Sequence, residues 1–312
     1  MKALLVANTG GHLKELVHLR PRLPFAEGED VWVTFDHPQS RSLLAGRRVV
    51  FVTESPSRDL GAAARNLAPA IQLLRQERFD VAVSTGAALA ASFLPLARLR
   101  GVPCHYIESA TRIDGPSMTG RIMSFTPGVR LYTQHESWAG ERWRHAGSVF
   151  DGFTATPDNN RVLRKVVVTL GSSGFSFRRL VERLHTIIPA DAEVLWQTGQ
   201  TDVSGLPVTA VKQMPAHEIE GHMASADLVV AHSGIGSALT TLEMGRRPLL
   251  VPREQAHGEH IDDHQAQIAA ELVEKGLATS RRVEELTTDD LLQAARWRVT
   301  SDADASPIEL TS

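Results

Sequence analysis

A chain of 312 residues is too long for one ordinary core and fits two domains of roughly 150 residues each. With 42% hydrophobic and 22% charged residues the composition is globular, which excludes disorder for the bulk, and the single cysteine, Cys104, excludes a disulfide framework and a multi-cysteine zinc site. The net charge of −3 is uneven: residues 1–150 hold 18 Lys and Arg against 13 Asp and Glu, the remainder 15 against 23, and no dense basic stripe with interleaved aromatics marks a nucleic-acid surface.

One cysteine also points to a reducing, cytoplasmic compartment. The apolar run at the N-terminus is too short for a signal peptide and reads as a first strand, Ala3–Ala7. Further strands are expected at Val31–Phe35, Val49–Thr53, Val81–Ser84, Cys104–Glu108 and Arg130–Thr133, with helices at Gly11–Arg20, Gly61–Arg78 and Ala87–Arg100 between them. Strands alternating with helices of this length imply βαβ units and a parallel sheet. The stretch Asp151–Arg164 is turn-rich and without periodicity, and is read as the boundary between domains 1–150 and 165–300. Beyond it the rhythm restarts with strands at Lys165–Leu170, Glu193–Gln197, Val208–Lys212, Leu228–Ala231 and Leu249–Val251 and a helix at Phe177–Ile188. Residues 301–312 read as a polar tail without an assignable role. No run approaches the ~20 apolar residues of a membrane span; the longest, Ala87–Ala97, contains Pro95. The fold class is therefore α/β, two Rossmann-like doubly wound domains with the ligand expected in the cleft between them, at the carboxyl ends of the strands.

Three loops can carry chemistry. Asn8-Thr9-Gly10-Gly11-His12 joins the first strand to the first helix; its glycines admit a ligand to the backbone, and His12 titrates near neutrality, as a general base should. The same residues also suit a tight βα turn with a solvent-facing histidine. Gly171-Ser172-Ser173-Gly174 occupies the matching place in the second domain and can present amides and hydroxyls to a diphosphate, but it has neither a P-loop lysine nor a dinucleotide fingerprint. The most informative stretch is His232-Ser233-Gly234-Ile235-Gly236-Ser237, after which a helix leads to Glu243. Its turn can hold phosphate or sugar oxygens, and the carboxylate can accept both hydroxyls of a ribose. The alternative is a buried helix packed through Leu239 and Leu242 with Glu243 at its solvated end. Downstream, His260 and His264 are four apart and would share a helix face, which suggests a metal; sugar or phosphate contact is the competing reading, because the glutamate of a zinc-protease helix is missing.

Taken in order, Val83-Ser84-Thr85-Gly86, Tyr106-Ile107-Glu108-Ser109-Ala110-Thr111-Arg112, Ser117-Met118-Thr119-Gly120, Val168–Phe177, Gln197–Asp202, His232–Glu243 and Glu259–Gln265 resemble the GT-B glycosyltransferases related to MurG. They are closer still to the two-subunit dolichol-linked GlcNAc transferase and its bacterial exopolysaccharide counterparts, as if both subunits were fused. The resemblance implies an inverting transferase that moves a hexose from a UDP-sugar to a lipid-linked, polyprenyl diphosphate sugar acceptor in exopolysaccharide or capsule biosynthesis. It implies donor contacts at Gly171, Ser172, Ser173, Gly174, Gln197, Ser233, Gly234, Ile235, Gly236, Ser237, Glu243, His260, His264 and Gln265. Acceptor contacts fall at Gly10, Gly11, Thr85, Gly86 and Arg112, and His12 or Glu108 serves as the base. A structural Glu108 that holds the Ser109–Ser117 loop is an equal alternative.

Metal and cofactor are not required on this reading, since helix N-termini and hydroxyls can meet the charge of the leaving diphosphate. The enzyme is expected in the cytoplasm, peripheral on the inner face of the plasma membrane. Met118, Ile122, Met123 and Phe125 with Arg112, Arg121 and Arg130 form a candidate lipid contact, and Ala87–Arg100 a second; a buried helix with ordinary surface arginines accounts for the same pattern. The split acceptor subunits often begin with a membrane-spanning helix that this sequence lacks. Competing functions are a UDP-sugar 2-epimerase, a non-catalytic nucleotide-sugar binder and a natural-product glycosyltransferase with a soluble acceptor.

Overall fold

A computed structural model describes residues 1–26, 28–54, 65–159, 161–171, 174–261, 264–302 and 305–310. The chain forms two compact units, Met1–Asp151 with Ala305–Ser312, and Gly152–Asp304.

In the first unit the elements run β1 (Ala3–Ala7), α1 (Gly11–Leu19), β2 (Val31–Phe35), α2 (Pro38–Leu43), β3 (Arg48–Val52), α3 (Leu67–Gln76), β4 (Val81–Gly86), α4 (Ala88–Leu99), β5 (Cys104–Ile107), α5 (Met118–Ser124), β6 (Val129–Thr133) and β7 (Trp143–His145). The seven strands are all parallel, in the order β3-β2-β1-β4-β5-β6-β7. Runs such as Val-Trp-Val-Thr-Phe are buried at every position, as strands covered on both faces must be. One face packs Leu4, Val33 and Leu131 against Leu73, Leu74, Phe93 and Met123 of α3, α4 and α5; α1 lies against β1 and β4. Strand order reverses between β1 and β4, so the loops after these two strands meet at one switch point.

The second unit continues with β8 (Phe153–Pro157), β9 (Lys165–Thr169), α6 (Arg178–Ile187), β10 (Glu193–Gln197), β11 (Ala210–Val211), α7 (Ala216–Ser225), β12 (Leu228–His232), α8 (Ile235–Glu243), β13 (Leu249–Val251), α9 (His264–Glu274), β14 (Thr279–Ser280), α10 (Thr288–Ala294) and β15 (Trp297–Ser301). Its parallel sheet has the order β11-β10-β9-β12-β13-β14 and reverses between β9 and β12. Val166, Val168 and Val230 pack against Leu180, Leu184 and Leu291 on one face, while Val167 and Val229 meet Met223 on the other.

The units divide between Asp151 and Gly152, at the start of the expected boundary stretch, and the structure adds detail to two expectations about organisation. The stretch Asp151–Arg164 is not simply a linker: β8 lies within it and pairs antiparallel with β15, whose last residue, Ser301, was assigned to the tail. Nor are residues 305–310 a loose polar end. Ile308 is buried in the first unit, its amide donating to the Arg22 carbonyl (2.8 Å), and the Glu309 amide donates to the Ala146 carbonyl (3.0 Å). The first part of the helix expected at Gly61–Arg78 falls outside the described residues, and α3 covers the rest.

Candidate active site

In the first unit, β1 ends in Asn8-Thr9-Gly10, and Gly10 takes φ +97° so that α1 can begin at Gly11. His12 sits in its first turn. The His12 Nδ1–H donates to the Thr85 carbonyl (2.9 Å), and the Thr85 hydroxyl returns a bond to the His12 carbonyl (2.7 Å). A carbonyl can only accept, so Nδ1 carries the proton and Nε2 keeps its lone pair. Gly86 follows with φ +116°, its bare Cα facing the Tyr106 hydroxyl and the His12 ring. Burial lowers the His12 pKa below the usual histidine value, the Thr85 bond opposes this, and the nearby Arg112 charge lowers it further. The loop is braced by Asn8, whose Oδ1 accepts from the Leu89 amide (3.1 Å) at the start of α4, and by Thr9, which hydrogen-bonds Ser40 (2.7 Å).

Glu108, just past β5, is fully buried and its carboxylate is surrounded by donors. The Ser117 amide (2.9 Å) and hydroxyl (3.0 Å) reach Oε2, while the Tyr106 hydroxyl (3.2 Å) and Ser109 amide (3.3 Å) reach Oε1. Burial raises its pKa, with these bonds and Arg112 pulling the other way. Ser117 is in turn the N-cap of α5, accepting from the Gly120 amide (3.0 Å), and a Cβ on Gly120 would overlap the Glu108 carboxylate. This arrangement holds the Ser109–Ser117 loop.

Sequence reasoning missed Glu15. One turn along α1 from His12, it accepts from the Ser109 hydroxyl (2.6 Å), the Ala110 amide (3.0 Å) and Gln134 Nε2 (2.9 Å), and burial pushes its carboxyl up to about 7. The available signal was a charged residue at i+3 from His12 on an otherwise apolar helix face. Arg112, within the Ser109–Ser117 loop, is half-buried, and its carbonyl accepts from Trp138 Nε1 (2.9 Å).

In the second unit two glycine turns flank the switch point. Gly171 (φ +70°) follows β9, and Gly234 follows β12; the His232 ring fills the space beside both, so a Cβ at either glycine would overlap it. His232 is buried, with its pKa pushed down to about 3 by burial and then by Arg253, and is therefore neutral. Its ring interacts with the Thr169 backbone, and among the described residues the buried Ser233 hydroxyl has no hydrogen-bond partner. The first helical bond of α8 comes from the Ala238 amide to Gly234, which leaves the amides of Ile235, Gly236 and Ser237 facing outward along the helix axis. The Ile235 side chain itself is core. Glu243 is the last residue of α8 and is half-buried. Ser172 and Ser173 lie outside the described residues; Gly174 is exposed.

The remaining expected donor residues divide. Gln197 is occupied, accepting from the Thr169 hydroxyl and donating to the Lys212 carbonyl (3.3 Å), which ties the ends of β9, β10 and β11 together. Gln265 accepts from the Arg253 amide (3.1 Å), and His264 opens α9 with its Nδ1 on Gln267 (3.0 Å). His260 precedes that helix and packs on the Phe175 ring (centroids 5.4 Å apart), so the shared helix face behind the metal reading does not form. Among the described residues no three His, Cys, Asp or Glu side chains are placed to hold a metal ion.

Arg253 was also missed. It is 1% exposed and donates to the carbonyls of Leu170 (2.8 Å), Phe175 (2.7 Å) and Glu259 (3.4 Å), while its guanidinium lies over the Phe177 ring. It therefore clamps both ends of the Gly171–Gly174 turn. Burial lowers its pKa to about 10, which leaves a buried positive charge beside the turn at neutral pH. Glu259, which the Glu254 amide reaches, is gripped by Arg179 (2.9 Å) and keeps this segment in place.

Residues 165–303 match the glycosyltransferase family 28 C-terminal domain. Over 88% of its length the chain is 27% identical to the UDP-N-acetylglucosamine--N-acetylmuramyl-(pentapeptide) pyrophosphoryl-undecaprenol N-acetylglucosamine transferase of Parasynechococcus marenigrum (strain WH8102), of which it covers 82%. The chain is a glycosyltransferase of GT-B fold, similar over most of its length to the MurG enzymes. Solved structures agree on the fold: MurG of Acinetobacter baumannii superposes with a TM-score of 0.57 at 18% identity, and the glycotransferase of kitacinnamycin with 0.63 at 18%. Each alignment covers 94% of this chain and 89% of the other. In this GT-B enzyme the family 28 domain is the unit that carries His232, Ser233 and Arg253.

The expected lipid-contact residues also separate. Met118, Ile122 and Phe125 are 60%, 40% and 87% exposed, but Met123 is buried in the core and cannot take part. In α4, Leu89, Phe93 and Leu94 are likewise core, and of its large apolar residues only Leu99 at its end is exposed. Among the described residues no helix is long and apolar enough to cross a membrane.

Proposed function

We propose that the enzyme transfers a hexose from a UDP-sugar, with inversion, to a hydroxyl of a sugar carried on a polyprenyl diphosphate, in exopolysaccharide or capsule assembly. The observation that carries this reading is the buried, unpartnered Ser233 hydroxyl beside the first-turn amides of α8, which have no acceptor within the helix. Buried polar groups without partners are costly, and a diphosphate or sugar oxygen supplies what they lack. Glu243 accepts the ribose hydroxyls. His264 and Gln265 border the same site, and His260 closes it through Phe175.

His12 is the base. Nε2 takes the proton of the acceptor hydroxyl as that oxygen attacks the anomeric carbon, and the bond to the diphosphate oxygen breaks with its electron pair leaving on UDP. The α8 amides and the buried Arg253 charge meet the charge gained by the leaving group, so no metal is needed. Glu108 is a positioning residue: its four accepted bonds shape the loop that brings Arg112 to the acceptor. Gly10, Gly11 and Gly86 keep the approach to His12 open. The acceptor class is supported by the Parasynechococcus relative, which is named for transfer onto a pyrophosphoryl-undecaprenol-linked substrate. Met118, Ile122 and Phe125 beside Arg121 would rest on the cytoplasmic membrane face where such acceptors lie.

A thermal-shift comparison of nucleotides tests the donor. UDP and UDP-sugars should raise the melting temperature, with a rise that grows with the logarithm of concentration. A shift by another nucleoside diphosphate and none by UDP would refute the donor assignment, and conversion of a UDP-sugar without acceptor would make the enzyme an epimerase.

A further inference from the structure

The first unit holds a cleft that the transfer reaction leaves unused. Its volume is about 570 Å³, and it opens near the amino ends of the strands, where Pro103 precedes β5 and Val129 begins β6. The acceptor loops leave from the opposite, carboxyl ends. Four arginines line the cleft: Arg98 from the last turn of α4, Arg130 from β6, and Arg142 and Arg144 at the start of β7. Among the described residues the one acidic side chain in the lining is Glu141.

These cations are placed by the backbone. Gly128 takes φ +77°, and its missing Cβ leaves the space that the Arg98 guanidinium fills; any side chain there would overlap it. Arg142 donates to the carbonyls of Ser124 (3.0 Å), Val129 (3.2 Å) and Met123 (3.5 Å), neutral acceptors that fix its direction and leave its charge whole. Arg98 and Arg130 both act electrostatically on Cys104, the first residue of β5, so a helix and a neighbouring strand bring their charges to one place. Guanidinium groups gathered in a concave space repel one another, and one carboxylate offsets only part of that. A ligand with two or more negative charges turns the repulsion into attraction, through the planar forks that suit phosphate oxygens.

We propose that this cleft is a second ligand site, which binds a phosphate-bearing anion: a soluble diphosphate or the phosphate head of an anionic lipid. Leu99, beside Arg98, is 83% exposed and would lie against acyl chains in the lipid case.

The test uses the full chain, a cleft variant (Arg98→Gln with Arg130→Gln) and a control (Arg75→Gln with Arg78→Gln) that removes two exposed arginines elsewhere on the same unit. Each is titrated calorimetrically with inorganic pyrophosphate, and each is sedimented with phosphatidylcholine vesicles with and without phosphatidylglycerol. Unchanged melting temperatures establish that both variants are folded. The proposal expects the cleft variant to bind one of the two probes at least about tenfold more weakly than wild type, with the control unaffected. Loss confined to pyrophosphate identifies a soluble ligand; loss confined to the anionic vesicles identifies a lipid head. Equal binding by all three proteins in both arms, or equal weakening in variant and control, overturns the proposal.

Discussion

On the proposed mechanism His12 of α1 is the base, and Glu15 lies one turn along the same helix. His12 is readied by a single bond: with Nδ1–H committed to the Thr85 carbonyl, the lone pair on Nε2 is available at neutral pH. Because burial and Arg112 lower its pKa, the ascending limb of kcat/KM should have its midpoint below pH 6.5, and Arg112→Gln should move that midpoint upward. His12→Asn should abolish the limb and reduce kcat by ~10²–10⁴-fold, the usual worth of a general base. A His12→Asn enzyme that keeps both rate and limb would remove His12 from the mechanism. Glu15 writes a different signature, in stability. Its carboxyl is raised from 4.5 to about 7 in the folded chain, so the stabilisation from retaining that proton is complete below pH 4.5 and is lost as pH rises through about 7. Glu15→Gln, which can still accept from Ala110 and Gln134 while donating to Ser109, escapes this loss. In denaturant titrations its advantage over wild type should grow by about 3 kcal/mol across that range. An advantage that does not change with pH would contradict the buried-acid account. His12 stood out in the sequence because it follows two glycines; Glu15 did not, because its partners Ser109, Ala110 and Gln134 come from distant loops that only the sheet brings together.

At the level of elements, the strands and the helices after them were legible because buried parallel strands are written as short β-branched runs, as in Val31–Phe35 and Lys165–Thr169. Short elements escaped for want of periodicity: α5 is seven residues and β7 three. The glycine turns were visible as turns, yet their reason was not. Gly171 and Gly234 are glycine because the His232 ring occupies the space beside both. Gly234→Ala should therefore destabilise the second unit by overpacking, about 1–3 kcal/mol, and weaken nucleotide binding. In a His232→Ala background the same substitution should cost much less, giving a coupling of the order of 1 kcal/mol or more in a double-mutant cycle. Additive effects would mean that the ring is not the obstacle. Gln197 illustrates a different limit: the resemblance implies a donor contact there, and in the fold its side chain is bonded to Thr169 and Lys212.

Over the whole chain, each unit repeats one plan, a parallel sheet whose order reverses beside a glycine-rich turn, and the sequence announced this through two successive rounds of strand and helix. What it concealed is the route of residues 305–310, because Ile308 and Leu310 stand among polar residues with too short a run to show a pattern. Burial of Ile308 against the first unit predicts that Ile308→Ala lowers stability by about 2–4 kcal/mol by chemical denaturation. A change within a few tenths of a kcal/mol would show that residues 305–310 are not part of that unit. Division of labour between the units is the central claim: the family 28 domain holds the nucleotide-sugar, and His12 of the other unit activates the acceptor. Its most direct test is product analysis after incubating the enzyme with a UDP-sugar and a polyprenyl-diphosphate-linked sugar. The account predicts a lipid-linked product with one added sugar of inverted anomeric configuration, formed together with UDP by the wild type and nearly absent with His12→Asn. A product of retained configuration, or transfer undiminished in His12→Asn, would contradict it.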